Sequence, residues 1–222
     1  DLALKDAFTL LAPDSNMQIL DAGCGSGRLL FHAKDFLKKG GQLTGIDIDD
    51  EGLNTAKKRA HDYGINKSVN FINADLLSFG DPSLPLFDGI ISNFAIYTLS
   101  EEKDRILFLS NIAKFLKPKG RMVVGLPSET YNIKSIIGDA LSKEKALRGS
   151  FSPIYHYRKH FIYPKAFTVM MPIEKAIDGG RFHKFSTEEI SSLFVSAGFK
   201  RENIKIWKTY GGNGYHVLAI KE

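Results

Sequence analysis

Three glycines at alternate positions, Gly23, Gly25 and Gly27, follow an apolar run that ends in the acid Asp21. Because glycine has no Cβ, a turn rich in glycine lets a ligand contact the backbone itself. The N-terminus of a helix that follows such a turn adds free backbone N–H groups and positive potential. The stretch ILDAGCGSGRLL, residues 19–30, therefore predicts a site for a nucleotide-type ligand.

The spacing of these glycines bears on the class of ligand. The dinucleotide fingerprint is G-x-G-x-x-G, and its third glycine allows a helix to pack closely on a strand. Here the series is G-x-G-x-G, and Arg28 occupies the position of that third glycine. An arginine would obstruct the close packing, so the spacing favours the other class that uses such turns, S-adenosylmethionine with its carboxylate and ribose.

Two further acids stand at the ends of the next predicted strands. Asp47 ends the second strand, where a carboxylate can accept hydrogen bonds from both hydroxyls of an adenosine ribose. Asp75 follows the third strand, where a carboxylate can accept from the 6-amino group of adenine. Because NAD uses an acid in the same way, Asp47 indicates an adenosine nucleoside and leaves its identity open.

The elements that must position these residues alternate between strand-length apolar runs and helical patterns, which predicts β-α-β units with a parallel sheet. The predicted strands cover residues 17–22, 42–49, 68–75, 87–94 and 121–127, and the predicted helices cover 28–40, 50–64, 100–116, 131–148 and 186–199. We expect Ser100 to cap the helix at 100–116 and the segment 117–120 to form a turn. Residues 149–185 show no clean period.

The C-terminal residues predict an antiparallel hairpin, because two strand-like runs flank the sequence GGN at 211–213. The sheet is therefore expected to hold seven strands, five in parallel units and two in the hairpin. Neither a long linker nor a repeat divides the chain, so residues 1–222 are interpreted as a single α/β domain.

Composition excludes several classes of protein. The chain has 222 residues, 43% hydrophobic and 25% charged, which is typical of a globular domain rather than a disordered chain. No apolar run reaches the roughly 18–20 residues that span a bilayer. A single cysteine excludes an internal disulfide and favours a cytoplasmic protein. The net charge of +5 permits anionic partners, and the start at Asp1 leaves a removed leader open.

Taken together, the motifs resemble those of the class I S-adenosylmethionine-dependent methyltransferases. The matching segments are ILDAGCGSG (19–27), GIDID (45–49), FINADLL (71–77), FDGIISNFAIYTL (87–99) and FLKPKGRMVVG (115–125). The C-terminal hairpin is similar to the reversed seventh strand of that family. The resemblance implies a Rossmann-like doubly wound sheet, S-adenosylmethionine as the cofactor and no metal. Within the family, the chain is loosely similar to the small-molecule branch related to quinone-biosynthesis methyltransferases.

The resemblance also assigns roles to individual residues. The residues implied to bind the cofactor are Asp21, Gly23, Gly25, Gly27, Asp47, Ile48, Asp75, Leu76, Asn93 and Phe94. The glycines would lie under the methionine moiety, with Asp21 near its amino group. Asp47 would bind the ribose and Ile48 would lie against the adenine. The pair Asp75 and Leu76 would bind the adenine edge, and Asn93 and Phe94 would lie beside the methyl donor.

The acceptor of the methyl group is expected to bind at an insertion covering about 131–185, and chiefly at residues 149–185, where aromatic side chains are dense. This segment is interpreted as a lid. Candidates for a general base or acceptor contact there are His156, Tyr157, His160 and His183. Transfer from a sulfonium is an in-line displacement, so alignment can supply most of the catalysis and a base is needed only where the acceptor must lose a proton.

Three functions stay open, and the first is favoured: methylation of a small molecule, methylation of an RNA or tRNA base, and cofactor binding without transfer. The segment after the fourth strand reads SNFAIY and lacks the N/D-P-P-Y/F pattern of enzymes that methylate exocyclic amines of bases. The Pro-Cys pair of 5-methylcytosine enzymes is also absent, since Cys24 follows Gly23. In contrast, the basic and aromatic segment YHYRKH suits contact with RNA.

Overall fold

The computed structural model describes residues 2–222, with side chains described from Leu4 onward, and Asp1 lies outside this part. The strands are β1 (Gln18–Ala22), β2 (Gln42–Asp47), β3 (Val69–Asn73), β4 (Phe87–Asn93), β5 (Leu116–Pro127), β6 (Ile204–Thr209) and β7 (Gly214–Ile220). The helices are α1 (Leu2–Leu10), α2 (Leu30–Lys38), α3 (Asp50–Asp62), α4 (Glu102–Lys114), α5 (Ile133–Arg148), α6 (Pro153–Tyr157), α7 (Tyr163–Asp178) and α8 (Thr187–Ser196).

The strands form one seven-stranded sheet in the order β3-β2-β1-β4-β5-β7-β6. Strands β1 to β5 pair in parallel, and β7 runs antiparallel to both β5 and β6. The order reverses at β1, which is where open α/β sheets bind ligands beyond the carboxyl ends of their strands. The predicted seven-stranded α/β fold with a C-terminal antiparallel hairpin is confirmed.

Apolar side chains alternate between the two faces of the sheet, as the two-residue repeat of a strand requires. On one face Ile19, Ile91 and Val123 pack against α1 and α2. On the other face Leu20 and Ile90 pack against α4 and α8. Helices therefore cover both faces and leave the carboxyl edge of the parallel strands as the place where a ligand can reach polar groups.

The segment between β5 and α8 is helical almost throughout and lies over this edge. Helix α5 is followed by α6, a π-helical turn (Arg158–Ile162) and α7. The Ser152 hydroxyl accepts from the Tyr155 N–H, and Pro153 occupies the first turn of α6. The expectation of an irregular segment at 149–185 was wrong for most of its length. We call residues 131–185 the cap.

The structure differs from the sequence-based expectations at three local features. Helix α1 was not predicted. Residues 117–120, expected to form a turn, belong to β5 instead. Two backbone hydrogen bonds hold them beside the C-terminus of the chain: Lys119 N–H donates to Lys221 O, and Lys221 N–H donates to Gly120 O. Glu101, not Ser100, is the N-cap of α4, and the Ser100 carbonyl instead accepts from Arg105 (2.7 Å). Helix α8 is capped by Ser186, whose Oγ accepts from the Glu189 N–H.

Candidate active site

The turn between β1 and α2 holds the three glycines at positive φ: +78° at Gly23, +46° at Gly25 and +71° at Gly27. A Cβ on Gly23 would lie 2.5 Å from Ala95 Cβ, and one on Gly27 would lie 2.8 Å from Ala56 Cβ. A Cβ on Gly25 would meet nothing nearer than Asp47 Oδ2, at 3.9 Å. The outer two glycines therefore allow the turn to pack, whereas the backbone of Gly25 faces open space.

Asp47, at the end of β2, holds this turn in place. Its Oδ2 accepts from the Gly25 N–H (2.6 Å), and its Oδ1 accepts from the Asp49 N–H (2.9 Å). A carboxylate has about four lone-pair positions, so each oxygen can accept one more hydrogen bond. Asp47 thus links the glycine turn to the end of β2 and keeps acceptor capacity for a ligand.

Asp21 lies beneath the turn and is buried, with 6% of its surface exposed. Burial, assisted by the nearby negative charge of Asp47, raises its pKa to about 7. The same burial, with Asp21 and Asp47 close by, raises the pKa of Cys24 well above its usual value. Cys24 is therefore a neutral packing group, and the site has an acid that would gain from a cationic partner.

The predicted adenine residues lie beside the ends of β2 and β3. Ile48 is 68% exposed directly after β2. Asp75 Oδ1 accepts from the Leu77 N–H (2.9 Å), and Leu76 is buried. Asn73 Nδ2 donates to the Ile48 carbonyl (3.1 Å) and so fixes the backbone between these positions. The arrangement leaves an apolar side chain and a carboxylate at neighbouring strand ends.

A cavity of about 520 Å³ opens between the glycine turn and the cap. Among the predicted cofactor residues, it is lined by Asp21, Gly23, Gly25, Asn93 and Phe94. The remaining five, Gly27, Asp47, Ile48, Asp75 and Leu76, are not among its lining residues and lie at the adjoining strand ends and the base of α2. The structure thus brings the predicted set to one edge of the sheet and divides it between two adjacent regions.

An aromatic group surrounds the cavity next to β4. The Phe94 ring lies 5.7 Å from the Tyr97 ring, 6.4 Å from Tyr131 and 5.6 Å from Tyr210, between centroids. We call Phe94, Tyr97, Tyr131 and Tyr210 the aromatic cluster, and all four line the cavity. Burial raises the pKa of Tyr131 and of Tyr210 to about 12. At neutral pH their hydroxyls are protonated and can donate hydrogen bonds.

Asn93 stands between the glycine turn and the aromatic cluster. Its Oδ1 is buried and has no hydrogen-bond partner among the described residues. A Cβ on Gly125 would lie 2.1 Å from this atom, so only glycine at position 125 leaves room for the amide. A buried acceptor without a partner is costly in a folded protein. The Asn93 amide also forms a side-chain hydrogen bond with Tyr210, which ties the end of β4 to the aromatic cluster.

The cap forms the opposite wall of the cavity. Its apolar lining comes from α5 and α7 and consists of Ile136, Ile137, Ala140, Ala166, Met170 and Ile173. Glu144 on α5 is buried and pairs with Arg148 (2.7 Å) and with Arg158 of the π-helical turn. The pair between Glu144 and Arg158 therefore links α5 to the π-helical turn that precedes α7, next to the cavity.

The four predicted acceptor-site candidates lie away from the cavity. His156 and His160 are exposed, with their rings stacked 6.2 Å apart, and Tyr157 is 57% exposed. His183 Nε2 lies 2.6 Å from Glu189 Oε1, and the His183 N–H donates to the Tyr97 carbonyl. The cap is helical, so only some positions of this aromatic segment face inward. Within residues 151–163, those that line the cavity are Arg158 and Tyr163.

Tyr97, Tyr131 and Tyr210 were missed as site residues. A signal for them was present, because residues that follow the carboxyl ends of β4 and β5 lie at the ligand-binding edge. Since β7 runs antiparallel to β5, its amino end and the preceding hairpin turn reach the same edge. Pairing of Gly214 with Pro127 places Tyr210 there.

The sheet order, the glycine turn after β1 and the cavity at the carboxyl edge define an open α/β fold of the nucleoside-binding class. A sequence model described as a methyltransferase domain matches residues 13–180, more than half of the chain. The chain therefore belongs to this methyltransferase domain family. The family predicted from the sequence is confirmed.

Two curated relatives and one solved structure illustrate the similarity. The chain is 34% identical to the ubiquinone/menaquinone biosynthesis C-methyltransferase UbiE of Rickettsia prowazekii over 124 residues, 54% of this chain and 48% of that protein. It is 32% identical to the ubiquinone biosynthesis O-methyltransferase of Bartonella bacilliformis over 127 residues, 57% of this chain and 47% of that protein. The matches thus span about half the length of these relatives.

The solved structure is a SAM-dependent methyltransferase from Aquifex aeolicus. It superposes with a TM-score of 0.65 at 16% identity, covering 99% of this chain and 89% of that chain. At this identity the superposition shows a shared fold. Separately, none of the helices in the described part of the chain is both long and apolar enough to cross a bilayer.

Proposed function

We propose that this chain is an S-adenosylmethionine-dependent methyltransferase that acts on a small molecule bound beneath the cap. The observation that carries the proposal is one continuous cavity that joins the glycine turn to the aromatic cluster. One end offers open backbone at Gly25 and the buried carboxyl of Asp21. The other end offers aromatic faces and protonated hydroxyls. Such a cavity can hold two ligands in contact with each other.

The residues at the turn fit the proposed cofactor. Asp21 would pair with the ammonium of its methionine moiety, which relieves the cost of a buried carboxylate. Asp47 would accept from the ribose hydroxyls with the capacity left after Gly25 and Asp49. Ile48 would cover one face of the adenine, and Asp75 would accept from its amino group. The cofactor supplies a methyl group on a positively charged sulfur.

The aromatic cluster would align the acceptor. Tyr131 and Tyr210 can donate to an oxygen or nitrogen of the acceptor while the ring of Phe94 packs against a planar face. The two curated relatives are named as C- and O-methyltransferases, respectively, so both atom types stay candidates here. None of the described residues that line the cavity is a histidine. Because transfer from a sulfonium is an in-line displacement, the contribution proposed for these residues is to hold the acceptor in line with the methyl group.

The cap would act as the lid. Inner faces of α5 and α7 wall the cavity, and Glu144 joins α5 to Arg158 across it. A closed cap excludes water and holds the acceptor in line with the methyl group. The single cysteine is buried and free, which agrees with a reducing compartment, and we propose a cytoplasmic location.

Incubation with methyl-labelled S-adenosylmethionine tests the proposed function. The protein is mixed in parallel with cell RNA and with an extract of small metabolites. We expect label in the small-molecule fraction. Label in RNA would instead support base methylation, and cofactor binding without label in either fraction would support a binding module. Both of these results would overturn the proposal.

A further inference from the structure

The outer side of the cap exposes an unusual number of large hydrophobic side chains. Of the thirteen such residues exposed in the described part of the chain, seven lie between positions 147 and 169. They are Leu147 (73% exposed), Phe151 (94%), Ile154 (49%), Tyr157 (57%), Phe161 (60%), Ile162 (43%) and Val169 (71%). Single exposed hydrophobic residues are ordinary, but a group confined to one short segment marks an interaction surface.

Four of these side chains follow a helical repeat along a nearly continuous helical run. Ile154, Tyr157, Phe161 and Val169 recur at helical spacing through α6, the π-helical turn and α7. The Tyr157 and Phe161 rings stack with their centroids 5.6 Å apart. Phe151 stands at the tip of the connection from α5 to α6. We call the seven residues together the apolar outer face.

The same segment carries a surplus of positive charge. Residues 143–175 contain seven lysines and arginines and two glutamates, a surplus of five that equals the net charge of the whole chain. Glu144 is buried and paired with Arg148 and Arg158, and Glu174 accepts from the Ile133 N–H (2.8 Å). Both acids are engaged within the cap. Its exposed charges in this segment are therefore those of lysines and arginines, among them Lys145, Lys159, Lys165 and Lys175.

We propose that the apolar outer face docks on the surface of an anionic lipid bilayer. A helical face that combines exposed apolar side chains with surrounding lysines fits the boundary between headgroups and acyl chains. Anionic headgroups complement the positive surplus. Phe151, at the tip, would enter deepest. This docking does not require that the chain transfer a methyl group.

Two other occupants fit less well. A second copy of the chain would bring two faces of the same positive charge together, which opposes association. RNA would complement the charge, but Leu147, Ile154 and Val169 are aliphatic and offer no ring on which a base can stack. The mixture of aliphatic and aromatic side chains thus favours lipid.

Vesicle flotation tests the proposal. The protein is mixed with vesicles of equal parts phosphatidylglycerol and phosphatidylcholine, or of phosphatidylcholine alone, at about 0.1 M salt. We expect it to float with the anionic vesicles and at least about tenfold less with the neutral ones. No flotation with anionic vesicles would overturn the proposal, and binding of RNA to the same cap residues would then assign this surface to RNA.

Matched variants locate the contact. The pair Phe151→Ser and Ile154→Ser should lower partitioning to anionic vesicles at least about tenfold, because two inserted side chains are lost. The control pair Leu86→Ser and Trp207→Ser removes exposed hydrophobic residues outside the cap and should change little. Equal losses in both pairs would contradict docking through the cap.

A charge pair separates local attraction from net charge. The double variant Lys159→Glu and Lys165→Glu should abolish binding to anionic vesicles. The control variant Lys57→Glu and Lys58→Glu changes the net charge equally, but on α3, outside the cap. It should retain most of the binding to anionic vesicles. Affinity for S-adenosylhomocysteine should stay unchanged in all four pairs. A failure of docking and a failure of the proposed function are therefore distinguishable.

Discussion

The glycine turn and the cap bound the same cavity, but they are held by different kinds of interaction. Backbone geometry and short polar contacts fix the turn: Gly23 and Gly27 permit close packing, and Asp47 accepts from two backbone N–H groups. The cap is held by apolar contacts and by the Glu144 ion pairs, and much of its outer side is exposed. A turn held by backbone contacts suits the cofactor, which is the same in every reaction of the family. A less buried cap suits the acceptor, which differs between its members.

This difference predicts that substitutions on the two sides separate cofactor affinity from acceptor use. The largest effect is expected for Gly25→Val. The added side chain would occupy the open space beside Asp47 at a φ of +46°, which valine strongly disfavours. We expect affinity for S-adenosylhomocysteine, measured by calorimetry, to fall at least about 100-fold.

Gly64→Val is the matched control for backbone strain. Gly64 has a φ of +67°, and a Cβ there would meet no atom within 4 Å. This variant should lose stability as Gly25→Val does while keeping wild-type affinity. Equal affinities in the two variants would show that the turn does not hold the cofactor.

Asp47→Ala should have the next largest effect. It removes the acceptor of the Gly25 and Asp49 N–H groups and the proposed acceptor of the ribose hydroxyls. Hydrogen bonds to a charged group contribute about 1.5–3 kcal/mol each, so affinity should fall at least about tenfold. Asp81→Ala is the control, because Asp81 also accepts from a nearby backbone N–H, in the separate turn around Ser83. Wild-type affinity in Asp47→Ala would contradict the ribose assignment.

Cofactor binding should also depend on pH through Asp21. Its pKa of about 7 means that the carboxyl is mostly protonated at pH 6 and mostly ionised at pH 8. Only the ionised form pairs with an ammonium, so affinity for S-adenosylhomocysteine should be about tenfold weaker at pH 6 than at pH 8. Asp21→Asn should bind weakly and show no such dependence, and a persistent pH dependence in that variant would assign it to another group.

The same group makes a prediction for stability. Between the ordinary pKa of 3.8 and about 7, the folded state keeps a proton on Asp21 that the unfolded chain has lost. The stability of the ligand-free protein should therefore fall as pH rises through this window. Asp21→Asn should raise the thermal midpoint at pH 8 and change it little at pH 4, as measured by calorimetric unfolding.

The smallest effects on cofactor binding are expected for the aromatic cluster. Tyr131→Phe and Tyr210→Phe each remove one hydroxyl that can donate to the acceptor. Affinity for S-adenosylhomocysteine should stay within about twofold, whereas transfer to the small-molecule fraction should fall about tenfold. Tyr63→Phe, at the end of α3, serves as the control. A loss of cofactor affinity without loss of transfer would reverse the assignment.

The same contrast explains what could be predicted from the sequence. The turn is local, so its glycines, Asp21 and Asp47 could be identified from spacing along consecutive β-α units. The C-terminal hairpin was predictable because its turn chemistry is also local. Tyr210 joins Tyr131 only through the long-range pairing of β5 with β7, which spacing does not reveal.

The cap resisted prediction for a physical reason. A helical period is visible when hydrophobic residues occupy one face. In the π-helical turn and α7 they occupy both faces, since Ala166 and Met170 line the cavity while Phe161 and Val169 are exposed. The period is therefore masked, and the segment resembled an irregular loop. Without a visible period, His156 and His160 could not be assigned to the inner or the outer face of the cap. They were therefore predicted as acceptor-site residues, although both are exposed.

Hydrogen exchange with and without S-adenosylhomocysteine tests most directly whether the turn and the cap form one ligand site. In the free protein, amides of the cap should exchange faster than those of β1 and β4. On binding, exchange should slow at residues 23–28 and 46–49 and also across 131–178. Protection confined to a surface away from the turn, or a cap as protected as β1 without ligand and unchanged with it, would contradict the account.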